Sequence, residues 1–254
     1  MKRLLLLVLT AIATPAFAWG PVAHRVIARV AESQLDSRVR ARAQALNDGA
    51  SLVELATEAD EIRNARPETK LWHFVDIPIA KNAYVESRDC RNDDCVVDRI
   101  EQFQARLANK NLSTARRREA LMFLVHLIAD VHQPLHASDN HDDGGTDTTV
   151  RFGSKKRKFH SVWDSGLVSR AGTEASLTAE LRQMIARGVP AGTANGDAED
   201  WANESHKAGQ AAYAQILKDH RLSSAESTED EQVVKRQLLR ASLRLAKALN
   251  EALQ

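Results

Sequence analysis

Cysteine is nearly absent from the 254 residues: the chain has two, Cys90 and Cys95, both in the polar run SRDCRNDDCVVD. A lone Cys pair without a neighbouring His in a fitting pattern is a poor zinc site. In an oxidising compartment, a disulfide closing that small loop is expected, trimming a surface loop rather than carrying chemistry. Long hydrophobic runs are equally scarce. One spans Leu4 to Ala13 and stops before Thr14-Pro15, at about half the roughly 20 residues of a membrane span. No later stretch approaches that length, which excludes a spanning architecture. Charge of one sign is also missing. Lys plus Arg number 35 against 34 Asp plus Glu, so binding nucleic acid by bulk charge alone is excluded. Internal repeats and long structureless linkers are absent too.

The single apolar run has a function of its own. Two cations (Lys2, Arg3) precede it and a small-x-small end follows at Ala16-Phe17-Ala18, the layout of a secretory signal. Residues 1–18 are read as a signal peptide, with cleavage after Ala18. The working domain is then 19–254, exported to a periplasm or the medium, with its formal charge moved from +1 to slightly negative. Cleavage there would leave Trp19 as the first residue.

Helical patterns dominate the rest, so the expected fold is mainly α-helical. PVAHRVIARVAES opens with Pro21 at a first-turn position and keeps Val22, Val26, Ile27 and Val30 on one side. Ser51-Leu52-Val53-Glu54 reads as a capping box starting a helix to about Asn64. Further periodic stretches lie near 96–108, 114–131, 176–187, 198–218 and 232–253. The last sets Lys235, Arg236, Arg240, Arg244 and Lys247 beside a leucine stripe, a pattern that favours core packing over a membrane surface. Between about 137 and 162, Gly144-Gly145 and the segments TTVRF and RKFHSV predict a long loop with a small β-hairpin.

Chemistry concentrates in FLVHLIADVHQPLH. His126 and Asp130, four apart on a helix, project from one otherwise apolar face. Burying such a pair is costly unless a structural hydrogen bond or a metal compensates. The spacing recurs in His160 and Asp164 of KFHSVWDSG. His136 follows a proline exit that could turn its imidazole toward the same cavity. Asp60 and Arg63 share a helical face, as a salt bridge would require too, and His73 sits between aromatics in LWHFVDIP. Imidazoles and carboxylates without usable thiolates suit zinc or a similar borderline ion better than calcium or magnesium, and more than one ion is implied.

Taken in order, WG with His24 behind it, Asp60-x-x-Arg63, WHFVDIP, HLIADVHQPLH, the GGTD loop and FHSVWDSG resemble the zinc nucleases of the mung-bean type, usually called S one/P one. These share a three-zinc helical fold with bacterial zinc phospholipase C. The resemblance implies three Zn²⁺ ions. Asp60, His73, His126 and Asp130 would hold the first, with Asp130 bridging to a second. That second ion would take His24 and, from Trp19, the terminal amine and carbonyl oxygen. His136, His160 and Asp164 would hold the third. An α-amine with a pKa of about 7.7 to 8.0 can yield its proton to a metal and close a five-membered chelate with its own carbonyl.

The activity implied is hydrolysis of single-stranded DNA and RNA to 5′-phosphorylated products, with 3′-mononucleotides as further substrates. Water between the first two zincs, oriented by Asp60, would attack phosphorus in line, and the third zinc would stabilise the departing 3′ oxygen. Arg63 would brace a phosphate oxygen, and Phe74 and Asp76 would stack on and hydrogen-bond a nucleobase. A phospholipase C would use the same metals on a lipid phosphodiester, but the matching residue there is Glu rather than Asp164. A non-catalytic zinc-binding protein would not need Arg63. His132 is expected beside the site or at the surface, His141, His206 and His220 as ordinary polar residues, and KKRK at 155–158 as a phosphate track or a solvated hairpin tip. No stable membrane association is expected, and the default assembly is a monomer.

Overall fold

An unbroken block of apolar side chains runs through one helix, and the remainder of the chain is arranged to cover it. The structure, a computed structural model, describes residues 19–254, so the expected signal peptide lies outside the described residues. Among the described residues twelve α-helices follow one another: α1 (Pro21–Ser33), α2 (Ser37–Leu46), α3 (Leu52–Leu55), α4 (Glu58–Ile62), α5 (Glu86–Asp89), α6 (Val96–Ala108), α7 (Thr114–Asp130), α8 (Phe159–Ser161), α9 (Leu167–Ala171), α10 (Glu174–Ala186), α11 (Ala198–Ile216) and α12 (Ser224–Ala252). The protein is mainly α-helical, as its periodicity predicts.

Every residue of α7 from Ala120 to Asp130 is buried. A helix apolar all round belongs in a protein's interior, and α6, α12, α2, α1 and α4 pack around it. His126 and Asp130 therefore enter the core on a helical stretch with no wet face. Ser113 caps the start of α7, its Oγ accepting from the Arg116 amide. α12 begins with a reciprocal capping box between Ser223 and Glu226 and packs along α1, α9 and α7. At roughly 1.5 Å per residue it is about 43 Å long, the closing wall that its leucine stripe predicts.

The capping-box expectation at Ser51 is corrected. The segment forms two short helices, α3 and α4, broken at Ala56–Thr57, and Ser51 makes no side-chain cap bond. The Leu52 amide donates instead to Glu32 of α1. At the break, the Ala56 carbonyl accepts from His126 Nδ1 at 2.8 Å, so the interruption serves the buried imidazole.

The hairpin is present as β1 (Thr149–Phe152) and β2 (Lys155–Lys158), antiparallel, with a third strand, β3 (Arg221–Leu222), parallel to β1 on its other side. No periodicity could disclose a two-residue strand. The disulfide Cys90–Cys95 is formed, and both cysteines are buried. It does more than trim a surface loop: Val96, the next residue, donates its amide to the Phe74 carbonyl at 3.1 Å.

Candidate metal centre

Four segments deliver the polar residues that the core surrounds. His24 comes from α1, Asp60 from α4, and His126 with Asp130 from the end of α7. His73 ends the 3₁₀ turn Pro67–His73. His24, His73, His126 and Asp130 are each 1% exposed or less. Asp130 is the hub. His73 Nδ1 lies 2.9 Å and His126 Nε2 3.1 Å from its Oδ2, and His24 Nε2 lies 3.3 Å from its Oδ1. Asp60 Oδ1 faces the same group, 3.8 Å from His126 Nε2 and 4.0 Å from His73 Nδ1. These atoms form two overlapping sets that could hold a metal ion, His24–His126–Asp130 and Asp60–His73–His126.

A second region is built from the proline exit and a π-helical turn. Pro134–Ala137 is a 3₁₀ turn carrying His136, and Val162–Gly166 is a single π turn carrying Asp164, an irregularity often found at functional sites. His160 Nε2 lies 3.4 Å from Asp164 Oδ2, and the His136 and His160 rings stack at 5.1 Å. His136, His160 and Asp164 form a third set with ligand atoms close enough for one ion. A fourth grouping, Cys90, Cys95 and Asp98, is not available, because its thiols are consumed in the disulfide.

The main chain aims these imidazoles. Nδ1 of His126, His136 and His160 donates to the carbonyls of Ala56, His73 and Gly144 respectively, at 2.8, 2.9 and 2.8 Å, leaving each Nε2 for the cluster. Gly144 has a φ of +58°, and a Cβ there would come 2.9 Å from the Leu135 carbonyl, so glycine is required where the loop passes His160. Gln133, which sequence reasoning left without a role, donates to Asp164 Oδ1 at 2.8 Å and accepts from the Leu135 amide. It locks the acid and the turn together.

Without a cation this arrangement is poorly satisfied. Both nitrogens of His24, Nε2 of His73, Oδ1 of Asp60 and Oδ1 of Asp130 are buried and without a hydrogen bond. Buried polar atoms are normally paired, and of these orphans His24 Nε2, Asp60 Oδ1 and Asp130 Oδ1 belong to the facing atoms of the cluster, donors that a cation would satisfy. Protonation behaviour agrees. Burial lowers His24, His73 and His160 below the usual imidazole range and takes His136 down to about 3, so these rings are neutral, as ligands must be. Burial works against the charge on Asp130 also, but the positive His126 and the imidazole contacts hold its carboxyl well below the usual range. His126 is the counterpart: the Asp130 charge outweighs burial and raises it to about 9. Asp164 is pushed well above the usual range by burial, with the charges of Asp130 and Asp60 adding to the effect. A carboxyl held neutral here is one that a cation would ionise.

The clusters open on a cavity of about 460 Å³ whose walls include Arg63, His73, Phe74, Asp76, His136 and His160. Arg63 Nη1 is 3.7 Å from Asp60 Oδ1. Phe74 is half-buried and Asp76 exposed at the rim. Partial desolvation beside Asp139, Asp143 and Asp89 lifts the Asp76 carboxyl to about 6. Asn64, Lys70 and Leu71 also line the cavity. Sequence reasoning missed them; Leu71, 50% exposed, is marked only by standing two residues before His73.

Two histidines need correction. His132 is fully buried, its Nδ1 bonded to the Ile128 carbonyl and its Nε2 accepting from Arg244. Burial and the Arg244 charge hold it down to about 3, so it is a neutral core residue rather than a surface one. His206 is also fully buried, between the carbonyls of Ala137 and Lys81. Trp19 is buried, and the following Gly20 amide donates to the Asp164 carbonyl at 2.9 Å, which sets the start of the domain against the third cluster.

Comparison with known proteins agrees with this geometry. Endonuclease 4 of Arabidopsis thaliana is 32% identical over 214 residues, covering 78% of this chain and 69% of its own length. Endonuclease 3 of the same plant is 32% identical over 195 residues, covering 71% and 64%. Nuclease S1 of Aspergillus oryzae is 28% identical over 204 residues, covering 76% and 70%. The family model for S1/P1 nuclease matches residues 19–254, the whole of the described chain, and the chain belongs to the S1/P1 nuclease family.

Proposed function

We propose that this nuclease is an exported, zinc-dependent phosphodiesterase that cuts single-stranded DNA and RNA to 5′-phosphorylated products and removes phosphate from 3′-mononucleotides. The observation that carries the reading is that two buried His/Asp clusters bring His73, His136 and His160 to the wall of one cavity that also holds Arg63 and Phe74, while a third cluster shares His126 with the first of them. Asp60, His73, His126 and Asp130 would hold one ion. Asp130 would bridge to a second, shared with His24 and with the amine and carbonyl of Trp19 once cleavage after Ala18 frees them. His136, His160 and Asp164 would hold the third. The buried orphan atoms His24 Nε2, Asp60 Oδ1 and Asp130 Oδ1 support this ligand set.

When bound, the ions supply Lewis acidity and positive charge to a phosphodiester in a chain whose overall charge is near zero. The chain's own residues do the rest. Asp60, with a buried Oδ1 that has no hydrogen bond, orients the attacking water and takes up its proton. Arg63, at the cavity wall, braces a phosphate oxygen with its planar fork as charge builds. Phe74 offers a stacking face that any base can use, which suits single strands, and Asp76 receives hydrogen bonds from a base edge. Its tie to Val96 holds the Phe74 backbone beside the disulfide, so the stacking platform is fixed before substrate arrives.

The test is a parallel incubation of the zinc-loaded protein beginning at Trp19 with single-stranded DNA, RNA, a 3′-mononucleotide and phosphatidylcholine. Cleavage of the first three with 5′-phosphorylated ends is expected. Cleavage of phosphatidylcholine alone would transfer the site to lipid phosphodiesters, and cleavage of none would leave a zinc-binding protein.

A further inference from the structure

β2 consists of four consecutive cations, Lys155, Lys156, Arg157 and Lys158, all exposed. Strand register concentrates the charge further. Lys156 lies opposite Arg151 on β1, and Arg151 lies opposite Arg221 on β3. Directly opposed residues share a face of the sheet, so Lys156, Arg151 and Arg221 form one row across three strands, and all three are exposed. Val150 and Leu222, next to the row, alternate to the other face and are buried. With neighbouring strands about 4.8 Å apart, the backbones of the three cationic residues stand within about 10 Å. None of Lys155, Lys156, Arg157, Arg151 and Arg221 makes an ion pair among the described residues. Like charges placed opposite one another destabilise a sheet, and a local conflict of this kind is characteristic of a functional surface.

The surface adjoins the third cluster along the chain. A groove of about 600 Å³ on this face is lined by Thr149, Arg151, Lys156 and Arg221, with Asp147 and Asp219 also at its edge. β2 runs directly into Phe159 and His160, so Lys155 stands at most roughly 16 Å along an extended chain from the third ligand cluster. The three strands expose no large apolar side chain, which a membrane-seated surface would need. They also present no exposed aromatic for reading bases, so the chemistry fits a phosphate backbone.

We propose that this cationic three-stranded sheet is an exosite for the backbone of single-stranded nucleic acid, gripping the polymer away from the bond being cut. The proposal rests on the nuclease reading of the cavity, and its tests separate the two. In the triple variant Arg151→Gln, Lys156→Gln, Arg221→Gln, kcat/KM for long single-stranded DNA should fall about tenfold at low salt, through KM with kcat unchanged. The slope of log kcat/KM against log salt should become shallower by about 0.7 per lost phosphate contact, roughly 2 for three. Hydrolysis of a 3′-mononucleotide should not change, and the charge-preserving variant Arg151→Lys, Lys156→Arg, Arg221→Lys should behave as wild type. Equal losses on both substrates, or an unaltered salt slope, would overturn the exosite.

Fluorescence anisotropy of the zinc-loaded protein with a labelled phosphorothioate single strand, which resists cleavage, decides the question without turnover. Weaker binding by the triple glutamine variant supports the exosite even if wild type cleaves nothing, a result that would sink only the nuclease reading. Equal binding overturns it. Loss of binding to phosphatidylglycerol vesicles with none to the oligonucleotide would also overturn it, and would assign the surface to anionic membranes.

Discussion

Gly209→Ala should damage the metal region from a distance. Gly209 lies where α11 meets the turn carrying His136. A Cβ there would stand 2.2 Å from Ser138 Oγ and 2.6 Å from the Pro134 carbonyl, about 1 Å inside ordinary contact. Ser138 cannot rotate away freely, because its Oγ is hydrogen-bonded to His206 Nδ1 at 2.9 Å. Overpacking costs about 1–3 kcal/mol, and a lost buried hydrogen bond adds about 1 kcal/mol. The sum, about 2–4 kcal/mol, should lower Tm by roughly 4–16 °C in a domain of this size. The Pro134 carbonyl is backbone, so relief requires the Pro134–Ala137 turn to move, and bound zinc measured by mass spectrometry should fall with Tm. Ser138→Gly in the same chain removes the nearer obstacle and should restore part of the loss. A Gly209→Ala protein melting within about 1 °C of wild type, with full zinc content, would refute the argument.

Four further outcomes are expected. A protein secreted with one extra residue before Trp19 should fold but lose one zinc and most activity, measured by metal content and turnover; full activity would sink the amine chelate. Metal-replete Arg63→Ala should lose about 10²–10³ in kcat, and unchanged kcat would reduce Arg63 to a salt-bridge partner of Asp60. Phe74→Ala should cost about 1–3 kcal/mol of transition-state binding on single-stranded DNA and little on a base-free phosphodiester; equal losses on both would discard the base platform. Asp230 is 3% exposed with an unbonded Oδ2, and burial, reinforced by Glu226 and Glu229 against the Gln215 hydrogen bond, raises it to about 7. A carboxyl whose folded pKa is raised gives stability that is complete below its unfolded value of about 3.9 and lost as pH rises through 7. Asp230→Asn should therefore gain stability over wild type between pH 4 and pH 8, by up to about 4 kcal/mol, and a pH-independent difference in denaturant midpoint would contradict this.

The long helices were legible because their burial is written in their period: α6 spans Val96–Ala108 and α7 ends at Asp130, where spacing and the proline at 134 place them. The His/Asp clusters were legible because an i, i+4 His/Asp pair is too costly to bury on an apolar face without a compensating partner, and the spacing occurs twice. What stayed hidden depended on partners distant in sequence. Ser51 has the residues of a capping box, but Glu32 takes the amide and His126 takes the Ala56 carbonyl. His132 could be placed only beside the site or at the surface, because nothing in its own neighbourhood announces Arg244, more than a hundred residues later. β3 and the cationic row exist only through strand register, and Gln133 shows its value only once Asp164 is beside it.

The backbone carbonyls that aim the histidines also make the centre insensitive to much of its surroundings. An imidazole steered by a neighbouring side chain is lost when that side chain mutates, whereas the carbonyls of Ala56 and His73 persist through any substitution that keeps the chain's path. His73 and His136 go further. His136 Nδ1 donates to the His73 carbonyl at 2.9 Å, and the Val75 amide returns a bond to the His136 carbonyl at 2.7 Å. This reciprocal clip splices a segment serving the first cluster to one serving the third. Their spacing is thus held as a single rigid dimension, and either segment can shift only by carrying the other with it.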